Sequence, residues 1–205
     1  MMKFAPSCLP RTTTPIINVS DVRVGCLSAF PHWLDTLAMW HHKEWCKVSP
    51  DADFNERRRR LVQHLNGTDL PRTFVAYAQS SLTPCENRSL NRRRIPMEDR
   101  PSQPVLLGSI SLVTYPRPSG ELSPWLSNLY VHRPHRGLGL GQVLIRHLEL
   151  AAQSHCFERL RLFTTDKESY YEQFGWRTLR VNRLREHEVA VMEKRISPSP
   201  LRPYP

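Results

Sequence analysis

Residues 132–141, which read HRPHRGLGLG, combine dense positive charge with a backbone that is almost bare of side chains. Glycines remove the Cβ atoms that would hold a ligand away from the main chain. The N–H groups of residues 138–142 are predicted to form the first turn of a helix, where they lack acceptors and where the helix dipole favours an anion. The glycines are Gly137, Gly139 and Gly141, and the basic side chains are Arg133, His135 and Arg136. The segment predicts a phosphate or pyrophosphate site.

Two better-known phosphate loops do not fit this segment. The nucleotide P-loop needs a Lys-Ser or Lys-Thr pair after its glycines, and none follows here. The dinucleotide fingerprint GxGxxG would need glycine at position 142, where Gln142 stands. A merely flexible turn between a strand and a helix is the remaining alternative, but such a turn usually needs one glycine rather than three.

The glycine segment lies between a predicted strand and a predicted helix. Residues 125–132 are apolar nearly throughout, as in a strand covered on both faces, and residues 137–156 switch to a helical period. With a strand over 159–164, they form a β-α-β crossover. Ligands of such units bind beyond the carboxyl ends of the strands.

Further elements surround this crossover. The pattern predicts strands over 22–27, 72–79 and 105–113, helices over 30–45 and 53–65, a short helix over 168–174, and a terminal antiparallel pair from 176–182 and 188–194. The sum is an α/β domain with a mixed sheet.

The length of 205 residues fits one domain. We predict a tail over 1–20, a domain over 21–196 and a proline-rich tail over 197–205. Residues 80–104 are polar, punctuated by proline and without apolar period, so they are predicted to be a long insertion between two strands.

The net charge of +10 suits an anionic partner, whether nucleic acid, an anionic membrane or a phosphate-rich cofactor. No run approaches the ~18 apolar residues of a membrane-spanning helix, and no membrane partner is expected.

The five cysteines are scattered and include no CxxC pair, which indicates free thiols in a reducing compartment. A cytoplasmic protein is expected. The acid-free first twenty residues leave an organellar presequence as the alternative.

Two motifs resemble the GNAT (GCN5-related) family of N-acetyltransferases. The first is [QR]xxGx[GA], matched by Arg136, Gly139 and Gly141 after an apolar strand with a Val-x-x-Pro ending. The second is a strand followed by a short helix with Y-E-x-x-G-[FW], in LRLFTTDKESYYEQFGWRT. The resemblance is strong over 105–178. It implies a GNAT-type single domain with a mixed, mostly antiparallel sheet, a central β-α-β cofactor-binding crossover and helices on both faces.

The resemblance also implies acetyl-CoA as the cofactor, with CoA as the product. Backbone N–H groups of the turn would hold the pyrophosphate, the strand segment 128–131 would pair with the pantetheine arm, and an N–H near Leu129 or Tyr130 would polarise the thioester carbonyl. The acceptor amine would attack that carbonyl directly. The cofactor-binding residues implied are Leu129, Tyr130, Val131, Arg136, Gly137, Leu138, Gly139, Leu140, Gly141 and Gln142.

Tyr171 is the predicted catalytic acid. It matches the family tyrosine beside the cofactor sulfur, where a phenol with a reference pKa of about 10 can protonate the departing thiolate. The neighbouring Tyr170 is the alternative, since one of the two can be a core residue. A general base is harder to identify, because Ser127 and Asn128 stand where many relatives have a glutamate on the strand. A water chain through Asn128 or Ser127, or a carboxylate from Glu44 or Glu121, stays open.

Substrate contacts are predicted at Trp40, Glu44, Trp125 and Ser127, with Trp45 as a further wall of the acceptor cleft. Indole faces suit a cationic amine. No metal site is predicted, because the pairs His41–His42 and His132–His135 lack a carboxylate or cysteine at ligand spacing. Cys156 has no paired histidine by motif, and a buried thiol is the ordinary interpretation.

The leading hypothesis is transfer of the acetyl group of acetyl-CoA onto a primary amine in a ternary complex. The acceptor could be a small amine, an aminoglycoside-like polyamine or a peptide N-terminus; Asp51, Asp53 and Glu56 favour a cationic one, and the basic surface favours an acidic one. The alternatives are a nucleic-acid-binding module built on residues 57–60 and 92–94, which lacks the usual aromatic signatures, and a catalytically silent acyl-CoA binder. Monomer and homodimer are both open.

Overall fold

A computed structural model describes residues 21–66, 69–79, 104–184 and 186–196. The predicted tails, 1–20 and 197–205, lie outside the described residues, as do all but the last residue of the predicted insertion and the second arginine cluster, residues 92–94.

The described residues form a seven-stranded mixed sheet with the strand order β1-β2-β3-β4-β5-β7-β6. The pairs are antiparallel except β4 with β5, which are parallel. The predicted mixed, mostly antiparallel sheet with one crossover is confirmed. The strands are β1 (Arg23–Cys26), β2 (Arg72–Gln79), β3 (Pro104–Pro116), β4 (Leu122–Val131), β5 (Arg159–Thr164), β6 (Arg177–Leu184) and β7 (His187–Arg195).

Helices cover both faces of this sheet, as predicted. They are α1 (Leu34–Trp45), α2 (Phe54–Gln63), α3 (Leu140–Ser154) and α4 (Glu168–Glu172). Alternation along β2 separates two cores, since successive strand residues point to opposite faces. Val75 packs in the core that contains Leu37 and Leu61 of the first two helices. Phe74 and Ala76 pack in the larger core under α3 and α4.

Helix starts follow from local chemistry. A short 3-10 turn, Pro31–Trp33, precedes α1, so the helix begins three residues later than Pro31 alone would indicate. Asp53 caps α2 by accepting a hydrogen bond from the N–H of Glu56 at 2.8 Å. Helix α3 begins at Leu140 rather than at Gly137, because Gly137 and Gly139 have positive φ angles of 82° and 76°. No helix in the described ranges has the length and apolar character needed to cross a membrane.

Strand β4 diverges from β5 while it stays paired with β3. The parallel ladder contains the single register pair Trp125↔Arg161. On the opposite side, β4 pairs with β3 as far as Val131, with a bulge that leaves Asn128 and Leu129 without register partners. Within the described residues, the end of β4 therefore presents an unpaired edge toward β5, directly before the glycine turn.

Candidate active site

The turn between β4 and α3, residues 136–142, is shaped by two of its three glycines. Gly139 is the N-cap of α3 and, like Gly137, has a left-handed backbone. A Cβ atom at either position would meet no other atom within 4 Å. These two glycines are therefore required by the backbone conformation, and the space in front of them is open.

Gly141 has a different role. A Cβ atom at Gly141 would overlap the hydroxyl of Tyr170 in α4. This glycine allows α4 to approach the first turn of α3, and it places the Tyr170 phenol against the glycine turn. Gly137 and Gly139 are thus needed for their backbone conformation and Gly141 for close packing. The regular spacing of the three glycines does not reveal this difference.

The glycine turn presents free backbone donors. The structure differs from expectation at Gln142, whose N–H donates to the Gly139 carbonyl at 3.0 Å. In the part of the chain that the structure describes, the N–H groups of residues 138–141 donate to no acceptor. Four such N–H groups at a helix N-terminus form an anion site.

Arg136 is directed away from these donors. Its Nε donates to the Val131 carbonyl at 2.9 Å, and its Nη2 donates to Glu44 Oε1 at 3.0 Å. The guanidinium carbon also lies 5.5 Å from the centroid of the Tyr130 ring. Arg136 therefore ties α1 to the end of β4, and Glu44 is occupied by this ion pair.

Aromatic rings fill the same junction between α1 and β4. Trp40 stacks on His132, with centroids 4.3 Å apart and an interplanar angle of 5°, and it lies 5.3 Å from Tyr130. Trp45 contacts Tyr130 edge-on at 6.3 Å. These rings support the strand that leads into the glycine turn.

Tyr171 is buried, with 8% of its surface exposed. Its ring lies edge-on to Tyr170 at 5.3 Å and to Trp176 at 6.1 Å. Burial raises the pKa of the Tyr171 phenol well above its usual range, and the neighbouring Tyr170 and Asp166 act in the same direction. Tyr171 therefore keeps its proton at neutral pH, as a proton donor must.

A buried polar chain runs beneath the bulge of β4, on the face covered by α1 and α2. His41 Nε2 and Ser109 Oγ are hydrogen-bonded at 2.9 Å, and Ser109 Oγ donates to the Asn128 carbonyl at 3.5 Å. The Asn128 amide donates to Ser111 Oγ at 3.3 Å. Asn128 itself has a φ angle of 52°, a left-handed conformation that asparagine tolerates better than most residues. Hydrogen bonds of this polar chain therefore hold Asn128 in place at both its carbonyl and its side-chain amide.

The polar chain continues from Ser111 to a second histidine. Ser111 Oγ and Thr73 Oγ1 are hydrogen-bonded at 2.8 Å, and Thr73 Oγ1 is bonded to His64 Nδ1 at 2.7 Å. Desolvation lowers the pKa of His41 to about 3 and that of His64 to about 4. Both imidazoles are therefore neutral at pH 7.

A cleft of about 550 Å³ lies over this chain, between α2 and strands β3 and β4. Its polar walls come from both histidines, from Ser127 and Asn128, and from Glu56 and three arginines of α2. The cleft and the glycine turn meet along β4, since Asn128 lines the cleft and Val131 ends the strand that leads into the turn.

Residues 97–178, which span β3 to the start of β6, match the family model described as an acetyltransferase (GNAT) domain. Over these residues the chain is similar to a GNAT acetyltransferase domain. The predicted resemblance is confirmed by this match together with the fold. No curated protein sequence is significantly similar to the chain.

Solved structures share the fold of the GNAT domain. An aminoglycoside 6′-N-acetyltransferase complexed with coenzyme A aligns with a TM-score of 0.56 and 16% identity over 87% of this chain and 99% of that one. An N-acetyltransferase from Staphylococcus aureus Mu50 aligns with a TM-score of 0.58 and 14% identity, covering 86% and 99%. The NatC complex bound to Gag peptide and CoA aligns with a TM-score of 0.56 and 15% identity, covering 86% and 99%. At these identities the likeness establishes the fold.

The predicted substrate residues of the GNAT domain are not brought together. Ser127 lines the cleft with Asn128, whereas the three predicted tryptophans do not line it. Trp40 and Glu44 lie at the junction with the glycine turn, and Trp125 packs edge-on against Tyr115 at 6.1 Å. Trp40, Trp45 and Trp125 do not line this cleft, because aromatic packing holds each of them elsewhere.

Two other expectations concern a base and a thiol. Glu121 lies exposed in the turn before β4 and pairs with Arg117 at 3.5 Å, away from the cleft. Cys156 was expected to be buried, but it is exposed at the end of α3, where its φ angle of 59° turns the chain toward β5.

Arg57 and His41 line the cleft, a place that the sequence did not predict for them: Arg57 was expected in a possible nucleic-acid cluster and His41 in a histidine pair without metal-ligand spacing. Arg57 follows Phe54 by three positions and precedes Leu61 by four, so it lies on the apolar stripe of α2 rather than on a solvated face. His41 follows Leu37 by four positions on α1. The helical spacing therefore indicated that both side chains face inward, although it does not indicate what either side chain contacts.

Proposed function

We propose that the protein is an acetyl-CoA-dependent N-acetyltransferase that moves the acetyl group directly onto a primary amine in a ternary complex. The observation that carries the proposal is the row of free N–H groups at residues 138–141, placed beside the unpaired edge of β4. A row of donors suits a pyrophosphate, and a free strand edge suits an extended amide-containing arm. The silent binder is disfavoured by Tyr171, a protonated phenol close to this turn.

The chain's own groups fit the cofactor. The N–H groups of residues 138–141 would hold the pyrophosphate, and the edge of residues 128–131 would pair with the pantetheine amides. Bound acetyl-CoA would supply the acetyl group as an activated thioester. Leu129 is favoured over Tyr130 as the donor to the thioester carbonyl, because Tyr130 keeps its register partner in β3 and Leu129 lies in the bulge.

Tyr171 would act as the acid group beside the cofactor sulfur. Its raised pKa keeps the proton on the phenol Oη, from which it would donate a hydrogen bond that stabilises the departing thiolate. Tyr170 is placed instead against Gly141, where its hydroxyl would help to position the cofactor.

Removal of the proton from the acceptor amine is proposed to occur without a dedicated base. Glu44 is held by Arg136, and Glu56 is held by two arginines that lower its pKa to about 2. His41 and His64, with pKa values of about 3 and about 4, are far too weak to deprotonate an ammonium with a reference pKa of about 10. We infer that the acceptor reacts as the free amine, and that the positive charge of the cleft lowers the pKa of its ammonium.

Steady-state kinetics test this proposal. Initial rates of CoA release, measured while acetyl-CoA and an amine are varied together, should give intersecting double-reciprocal lines, as a ternary complex requires. Parallel lines would overturn the direct-transfer mechanism in favour of an acetylated enzyme. Calorimetric titration with acetyl-CoA should show tight binding, and no binding by the intact protein would overturn the function itself.

The pH profile tests the absence of a dedicated base. With a saturating amine, the rate should rise with pH toward the pKa of the bound amine and should follow that pKa from one acceptor to another. A plateau fixed near pH 6 to 7 for all acceptors would instead indicate a base on the enzyme.

A further inference from the structure

We propose that the cleft over the polar chain binds an acceptor that carries a carboxylate as well as its amine, and that Arg57 receives the carboxylate. This inference rests on the proposed acetyltransfer and names the class of its acceptor.

Among the residues that the structure describes, Arg57 is a buried cation without a counter-ion. It is 9% exposed and lines the cleft. Its Nη2 donates to the Ser49 carbonyl at 3.1 Å, whereas its buried Nε has no hydrogen-bond partner. None of the described carboxylates lies within ion-pair distance of it. A buried guanidinium without a counter-ion is costly, and a carboxylate in the cleft would reduce that cost.

Each of the three arginines that follow it has a carboxylate partner. Arg58 pairs with Asp35 at 2.6 Å, and Arg59 and Arg60 pair with Glu56 at 2.7 Å each. These three side chains are about half exposed or more. In this run of four arginines, Arg57 is the buried member. Among the described residues, it is also the one that has no carboxylate partner.

The walls of the cleft carry an excess of positive charge. Its lining includes three guanidinium groups against the single carboxylate of Glu56. The histidines in the lining add no charge at pH 7, because burial keeps them neutral. An anionic group entering the cleft is therefore attracted by its walls, and a polycation is repelled.

Asp53 and Glu56, two acids that could have bound a cationic acceptor, already have hydrogen-bond partners within the protein. The Asp53 carboxylate caps α2 through the N–H of Glu56 at 2.8 Å. Glu56 accepts hydrogen bonds from Arg59 and Arg60 at 2.7 to 2.9 Å. A cationic acceptor would have to displace these contacts, whereas an acidic acceptor would leave them intact.

The experiment measures binding of matched product-like probes to the full-length protein, without CoA. The probes are N-acetyl-glutamyl-alaninamide and N-acetyl-glutaminyl-alaninamide, which differ in one carboxylate, and N-acetyl-β-alanine with its amide. None contains an amine, so amine basicity does not influence the result. Calorimetry should find the acid of each pair bound at least about 10-fold more tightly, as a charge-assisted hydrogen bond in a desolvated site predicts.

Variants locate the effect. Arg57→Met should reduce the preference for the acid to about twofold or less, while Arg58→Met, on the next residue of the same helix, should leave it unchanged. Should Arg57→Met unfold the protein, Arg57→Lys retains the charge at that position and should keep a reduced preference. Equal binding of acid and amide to the intact protein would overturn the proposal.

Acetyl transfer with acidic, neutral and polycationic amines distinguishes failure of this inference from failure of the function. Efficient acetylation of an aminoglycoside together with equal probe binding would overturn the acidic acceptor and leave the acetyltransferase standing. A preference for acid probes in a protein that binds no acetyl-CoA would retain the anion site at Arg57 and overturn the transferase.

Discussion

The glycine turn and the cleft lie on the same strand, but they are built in opposite ways. The turn consists of consecutive residues, 136–142, and offers main-chain N–H groups. The cleft collects side chains from α1, α2, β3 and β4, held by a polar chain in which bonded residues lie as many as 68 positions apart. A main-chain site depends on conformation and open space, and a side-chain site depends on the identity of each member. Substitutions should therefore act differently in the two regions.

The largest expected effect is at the glycine turn. Gly139→Glu should weaken binding of acetyl-CoA by roughly 100-fold or more, because it places a carboxylate where the pyrophosphate is proposed to bind and like charges in an interface cost several kcal/mol. Calorimetric titration measures the affinity.

Gly120→Glu is the matched control. Gly120 has a φ angle of 83° and, like Gly139, has no atom within 4 Å of a Cβ. Both variants should lose about 1 to 2 kcal/mol from left-handed strain. An equal loss of affinity in both would mean that strain, rather than ligand contact, explains the glycine turn.

The next effect is on chemistry rather than binding. Tyr171→Phe should lower kcat roughly 100-fold while the KM for acetyl-CoA changes little, because the ring stays packed and only the proton donor is removed. Tyr170→Phe removes the same atom from the adjacent residue and should lower kcat only a few-fold. The reverse order in stopped-flow assays would transfer the acid role to Tyr170.

A smaller effect concerns the polar chain of the cleft. His41 and His64 have lowered folded-state pKa values of about 3 and about 4, so the unfolded state binds protons that the folded state does not. Their contribution to stability is complete above pH 6.5, the ordinary value, and is lost as the pH falls toward the folded values. Each histidine should cost roughly 1 to 1.5 kcal/mol per pH unit in that window.

Urea unfolding at a series of pH values from 7.5 to 4.5 measures this slope. His41→Gln should flatten it, because the variant removes one of the two buried imidazoles. An unchanged slope in His41→Gln would mean that His41 is charged in the folded protein.

The smallest effect is expected where the two regions meet. Glu44→Gln breaks a partly exposed ion pair with Arg136 and should change the free energy of unfolding by less than about 1 kcal/mol. Its kcat should stay within about twofold of the parent. A fall in kcat of several hundredfold would instead identify Glu44 as the missing base.

The sequence predicted the glycine turn well because its requirements are local. The apolar run of β4 and the period of α3 are local patterns and placed the turn between the right two elements, although the helix begins at Leu140 rather than at the predicted Gly137. The seven strands were predicted from such local patterns, and their arrangement in a mixed, mostly antiparallel sheet was predicted from the family motifs.

The cleft was predicted less well because its contacts are long-range. Ser109 meets His41 only through the register of β3 and the packing of α1, and the bulge that turns Asn128 is a property of two strands together. Asp53 and Glu56 resembled free acids for a cationic acceptor, although one caps a helix and the other pairs with two arginines. The residue types were visible, but their partners were not.

The divergence of β4 from β5 has a mechanical consequence. The sheet consists of two leaves, β1 to β4 and β5 to β7, joined through one register pair, Trp125↔Arg161. An extended ligand arm in the gap would complete the hydrogen bonding of an interrupted sheet, much as an inserted strand does. We expect amide protons of residues 128–131 to exchange with solvent quickly in the free protein and slowly once the gap is filled. Bound acetyl-CoA would then also hold the two parts of the sheet together.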